Sequence, residues 1–144
     1  MSEADQSWAA ASCAALLHQG RAVHWTALVI FLPACAYTIA HPAAMSGLAL
    51  LCAFMALLTE TYFAIRTGID ALLFDRLSND ARGLTQAMAD LDRGLEIAEL
   101  AQANQMRPLG DRIAGAKRLW RNQIIAALFV AMPSLAIMVR GVLT

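Results

Sequence analysis

Charged residues are missing from two long stretches of this chain, and that absence constrains the fold more than anything else in it. Ala22 to Thr59 contains no Lys, Arg, Asp or Glu in 38 residues, and Asn122 to Val139 contains none in 18. A helix needs about 20 apolar residues to cross a hydrocarbon core of about 30 Å. The first stretch is long enough for two crossings and the second for one. Between them, from Arg66 to Arg121, lie nine of the eleven basic residues and eight of the eleven acidic ones. The pattern predicts an all-α integral membrane protein: three transmembrane helices, with a cytoplasmic helical hairpin between the second and the third.

Composition agrees. The chain is 59% hydrophobic and 15% charged, whereas soluble domains average about 45–50% apolar and about 25% charged residues. The formal net charge is zero, so nothing points to nucleic acid as a partner. Cys13, Cys35 and Cys52 are odd in number, form no CxxC and sit in Ala- and Leu-rich surroundings. They read as small buried hydrophobes rather than a disulfide framework or a zinc site. Leu32 is followed by Pro33-Ala34-Cys35-Ala36, which has the form of a signal-peptide cleavage site. The long preceding segment with Glu3 and Asp5 argues against cleavage, and the chain is expected to stay whole.

Four segments follow. Residues 1–21 form an N-terminal interfacial segment that reads either as a short helix, with Trp8, Ala11, Ser12 and Ala15 on one side, or as a frayed terminus. Residues 22–65 form a transmembrane hairpin of spans at about 23–40 and 43–65. Pro33 falls inside the first span, and His41-Pro42 ends it, because Pro42 disfavours helical geometry at His41. The second span is rich in small residues, among them Ala43, Gly47, Ala49, Ala53 and Ala56, which let helices approach closely. Residues 66–117 form the cytoplasmic amphipathic excursion. Ile69, Leu72, Leu73 and Leu77 are spaced as an inward-facing stripe that prolongs the second span. Ser78-Asn79-Asp80 offers cap residues for a new helix, in which Leu84, Met88, Leu91, Leu95 and Ala98 repeat. Asn104 to Pro108 reads as a turn. Arg66/Asp70, Arg76/Asp80 and Arg107/Asp111 are i, i+4 pairs of weak orientation on a solvated face. Residues 118–144 hold the third span, with Trp120 at its start, Pro133 within it and Arg140 at its close.

Lys and Arg near the span ends set the orientation. Arg66, Lys117, Arg118 and Arg121 flank the excursion, Arg21 precedes the first span, and the His41-Pro42 tip has no charge. The N-terminus and the 66–117 excursion are expected in the cytoplasm, and the tip and C-terminus outside, in a bacterial inner (plasma) membrane.

Glu60 is the one carboxylate inside an apolar run, and an ionisable residue at membrane depth is a functional candidate. It lies six residues before Arg66, about 9 Å inside that boundary. The third span enters at this depth with Arg121, Asn122 and Gln123, and the first with Arg21, His24 and Trp25. Glu60, Tyr62, Arg66, Arg121, Asn122 and Gln123, with Thr61, therefore form a candidate polar layer. Pairing of Glu60 with Arg121 or Gln123 would lock helix to helix. A proton or ion relay, or a polar contact to a lipid headgroup or a partner subunit, are the alternatives.

No catalytic, cofactor or metal site is expected. His24 and His41 stand near opposite ends of one span, and no histidine lies in the other two, which disfavours heme b ligation within one chain. No phosphate loop, nucleophile elbow, HExxH or paired-carboxylate constellation occurs. The expected function is therefore non-enzymatic: an accessory, assembly or scaffolding subunit of a larger membrane complex. Its partners would be the lipid bilayer and either other membrane subunits or copies of itself. The alternative is a homo-oligomeric channel or small transporter with Glu60 near its cytoplasmic mouth. A lipid- or quinone-directed enzyme and a membrane-tethered regulator are weaker readings.

Overall fold

The computed structural model describes residues 2–80, 83–97 and 108–143. Among these there are four helices and no strand: α1 (Glu3–Ala40), α2 (Ala44–Asn79), α3 (Leu84–Ile97) and α4 (Leu109–Leu143). Three of them, α1, α2 and α4, are long and apolar enough to cross a membrane, as a multi-pass membrane protein requires. They pack on one another along their lengths, and α3 lies against α1 and α2.

The ends follow local chemistry. Ser2 and Asp5 form a reciprocal capping box that starts α1, satisfying two backbone donors that a helix N-terminus leaves orphaned. At the other end the His41 N–H donates to the Tyr37 carbonyl, and Pro42 prevents continuation. Residues 3–21 are thus the first half of one continuous helix, not a separate short one. Helix α1 also continues through Pro33, and α4 through Pro133. Ser78 and Asn79 serve the end of α2 rather than the start of the next helix. The Ser78 hydroxyl and the Asn79 amide both donate to the Asp75 carbonyl, so these side chains serve the last turn of α2. Gly83 then turns the chain with φ 97°, a conformation that costs glycine little and other residues more. The expected turn at 104–107, Arg107 and Ala98 lie outside the described residues.

A seven-residue period organises the interior. Ala10, Leu17, His24, Phe31 and Thr38 line α1; Ser46, Ala53, Glu60, Thr67 and Phe74 line α2; Leu109, Ala116, Gln123, Val130 and Ile137 line α4. All are buried except His24, which is partly so. This is the spacing of a coiled-coil seam. Two apolar clusters fill the interior. One joins Ala27, Phe31, Ala53, Leu57 and Val130 in the span half. The other joins Cys13, Leu17, Ala71, Phe74, Leu109 and Ala116, among others, in the other half, and Ala87 of α3 closes it. At the tip Tyr37 stacks on His41 with ring centroids 4.6 Å apart. Gly141 of α4 comes so close beneath the Tyr37 ring that a side chain there would overlap it.

The inward stripe expected beyond the second span is only half inward. Leu77 is buried and Leu73 partly so, but Ile69 and Leu72 are exposed. The interior seam of α2 passes through Thr67, Ala71 and Phe74, which turns Ile69 and Leu72 to the outside.

Candidate functional site

The layer of the bundle between the two apolar clusters is polar. Glu60 of α2 is fully buried there. Its Oε2 lies 2.6 Å from His24 Nδ1 on α1, and its Oε1 accepts from Gln123 Nε2 on α4 at 2.9 Å. The same Nε2 donates to the Gly20 carbonyl of α1 at 2.7 Å. One carboxylate therefore joins all three long helices at one level. With Glu60 ionised, His24 must be the donor at Nδ1, since a carboxylate only accepts. The Gln123 amide is fixed by the same logic. Turned over, its oxygen would face a carboxylate and a carbonyl and gain no hydrogen bond.

The arrangement leaves two buried oxygens, Gln123 Oε1 and Thr67 Oγ1, without a hydrogen-bond partner among the described residues. The first of them, and the Thr67 methyl group, lie beside Gly20. A Cβ on Gly20 would fall 2.6 Å from Gln123 Oε1 and 3.2 Å from Thr67 Cγ2. Glycine is thus what lets α1 approach α4 and α2 closely enough for the carbonyl of residue 20 to be reached. The other buried hydroxyls of the span half do not link helices. Thr38 and Ser134 donate to the carbonyls of Ala34 and Val130, four residues back on their own helices.

Of the six residues proposed for the layer, the structure brings together Glu60 and Gln123. Tyr62, Arg66 and Arg121 are at a similar depth but exposed, and Asn122 is half-buried. The reason is helical phase. Each residue turns the helix by about 100°, so neighbours of an interior position point elsewhere. Thr61 donates to Leu57 of its own helix. His24, Gly20 and Thr67 belong to the site without having been singled out as its members. A signal for His24 existed: it lies 17 residues before His41 and Glu60 lies 18 after Pro42, so a tight hairpin turning there sets them face to face.

Two surface grooves occur elsewhere, and neither reaches Glu60. One is apolar, about 420 Å³, between Phe31 and Cys35 of α1 and Gly47, Leu50, Leu51 and Phe54 of α2. The other, about 360 Å³, runs between Leu73, Arg76 and Leu77 of α2 and Ala87, Asp90 and Leu91 of α3. Among the described residues no group of three His, Cys, Asp or Glu could hold a metal ion.

Comparison with known proteins gives no match: no family model, no curated protein and no solved structure resembles the chain. Its class is therefore the one its architecture defines, an all-α chain with three helices able to span a membrane.

Proposed function

We propose that this chain is a non-enzymatic membrane subunit that assembles or scaffolds a larger membrane complex, with its polar layer acting as an internal register lock. The observation that carries the reading is the closure of Glu60: fully buried, and bonded by side chains of α1 and α4 of the same chain. A polar residue at a core position of a helical bundle fixes register and partner choice, since a slipped alignment would leave it unpaired. A carboxylate so enclosed is not presented to a lumen shared between copies, which weighs against the channel reading.

The length of the bundle supports placement in a bilayer. From the polar layer to the tip, α1 and α2 each run about 17 residues and α4 about 21, so about 25–31 Å. That matches a hydrocarbon core of about 30 Å. Trp25 and Tyr62 are exposed at the level of the layer, where aromatic belts lie. Among the described residues Arg66, Arg76, Arg93, Arg112, Lys117, Arg118 and Arg121 fall on the far side of it, Arg21 at its level and Arg140 near the tip. This bias favours a cytoplasmic location for the half carrying α3, an outside location for the C-terminus, and the inner membrane of a bacterium as the setting.

The test is a mild-detergent pull-down of the tagged chain from its native membrane, reading mass and composition together. Other membrane polypeptides in fixed ratio are expected. Recovery of this chain with no other polypeptide would overturn the reading.

A further inference from the structure

Helix α2 carries a second seven-residue seam, on the face turned away from the bundle. Leu51, Leu58, Ile65 and Leu72 recur every seven residues and are 57%, 51%, 62% and 63% exposed. Met55, Tyr62 and Ile69 flank them on one side and are exposed as well. Thr61 and Gly68 lie between them on the other, small enough for another helix to come near. The stripe contains no charge until Asp75 and Arg76.

Its length distinguishes it. One uncharged exposed row of α1, Trp8, Ala15, Ala22 and Val29, also crosses the layer, but two alanines hold its middle. The rows of large exposed apolar residues on α1 and α4 recur by sevens as Trp25, Leu32 and Ile39, and as Ile125, Met132 and Val139. Both rows stop at the polar layer: one repeat further on stand His18 and Arg118. Lipid covers rows that end there. The α2 row goes on. Leu72 lies twelve residues beyond Glu60 and six beyond Arg66, so about 18 Å past the layer and about 9 Å past the first charge of the excursion. Headgroup regions extend only about 5–8 Å beyond the hydrocarbon on each side. On this stretch α2 bears Asp75, which pairs with His18 at 2.8 Å on the water side. Lipid does not reach Leu72 there, and water is a poor neighbour for it.

We infer that a second copy of this chain covers the stripe, the two α2 helices pairing in parallel about a twofold axis along the membrane normal. Both copies share one topology in the membrane, so each seam residue meets its own counterpart, as an isologous contact requires. An uncharged seam is what such a contact needs, because any charge on it would face itself. A strict seven-residue apolar repeat is the pattern that keeps two helices in contact over several turns. The exposed side chains of the stripe offer on the order of 700 Å² per copy, an upper bound on what a pair of helices buries and of the size each partner contributes to a standard specific interface. The inference goes beyond the proposed function and needs only the membrane placement, so a hetero-complex could fail while the dimer stands.

Disulfide cross-linking of the full chain in native membranes tests it, in a background with Cys13→Ala, Cys35→Ala and Cys52→Ala. Leu58→Cys, Ile65→Cys and Leu72→Cys should each yield a covalent dimer of twice the chain mass. Thr59→Cys and, on α4, Phe129→Cys should yield several-fold less. Equal cross-linking at all positions, none at the three seam positions, or adducts only with a different polypeptide would overturn it. A second measurement guards against misfolding. Ile69→Glu with Leu72→Glu changes only exposed side chains on the water side, so helicity and melting behaviour should hold while the detergent-solubilised mass falls by half. A retained dimer with this pair would refute the seam.

Discussion

Glu60 draws its meaning from its two partners, and its substitutions should separate on that basis. In Glu60→Ala the His24 donor loses its acceptor inside the bundle, and Gln123 keeps only the residue 20 carbonyl. A buried polar group left unpaired costs about 1–3 kcal/mol, so a destabilisation on that scale is expected in thermal unfolding in mild detergent, followed by helicity. Glu60→Gln should cost much less. Its amide oxygen can still accept from Gln123, and His24 can change tautomer and accept from the amide nitrogen. Equal losses for the two variants would show that charge, and not hydrogen-bond geometry, holds the layer. Gly20→Ala sets two effects against each other. Alanine is favoured over glycine within a helix by about 1 kcal/mol, but its Cβ would displace the Gln123 amide from Glu60 and from the residue 20 carbonyl. Two hydrogen bonds outweigh one helix propensity, and a net loss of stability is expected by the same assay. At this scale the sequence was half legible. The lone carboxylate drew attention by itself, and so did Gln123 by its depth. Gly20 is invisible without coordinates, because its role is to leave room for a neighbour 103 residues away.

Among the elements, small residues set how closely the helices pack. Ala34 and Ala53 are fully buried, and enlarging either one should push apart the helices packed on it. Ala34→Leu is expected to cost about 1–3 kcal/mol, the usual range for an overfilled interior. Val29→Leu, on the exposed face of the same helix, should stay within about 0.5 kcal/mol. Thermal unfolding of both variants in the same detergent makes the comparison. The three apolar spans and the outward continuation of α2 were legible because hydropathy and charge speak directly about the solvent of each segment. The helical character of residues 3–21 was not. Ala10, Cys13, Ala14 and Leu17 give a faint periodicity, and what orders them is a core shared with α2, α3 and α4. The misread stripe has a related cause. Ile69, Leu72, Leu73 and Leu77 fit a helix face, but α2 has apolar residues on two faces, and spacing alone does not say which one its own bundle uses.

The whole molecule is a long bundle with one half apolar outside and the other half polar outside, and its placement in a bilayer is open to direct measurement. Trp25 and Trp8 are both exposed but lie about 25 Å apart along α1. With the other tryptophans replaced by Phe, Trp25 should be quenched by lipid carrying a shallow bromine label, and Trp8 by aqueous acrylamide. Lipid quenching of Trp8 would instead lay residues 3–21 on the membrane surface. Orientation follows from a second experiment in the cysteine-free background. Under the proposed topology, an impermeant thiol reagent added outside intact cells should label His41→Cys and leave Gln19→Cys untouched until the cells are opened. The reverse pattern would invert the assignment.

Biogenesis is constrained by the three residues that join α1 to α2. His41, Pro42 and Ala43 carry no acidic or basic charge apart from a protonatable imidazole, so passing this turn through the bilayer requires little dehydration of ions. Two helices joined so tightly enter as one unit. Glu60 and His24, equidistant from the turn, then arrive already facing each other, and the carboxylate is not carried alone into an apolar medium. Gln123 comes later, with the final crossing. Under the proposed topology the insertion machinery would meet two cargoes in sequence, a hairpin whose acidic group is already accompanied and a single helix that completes its solvation.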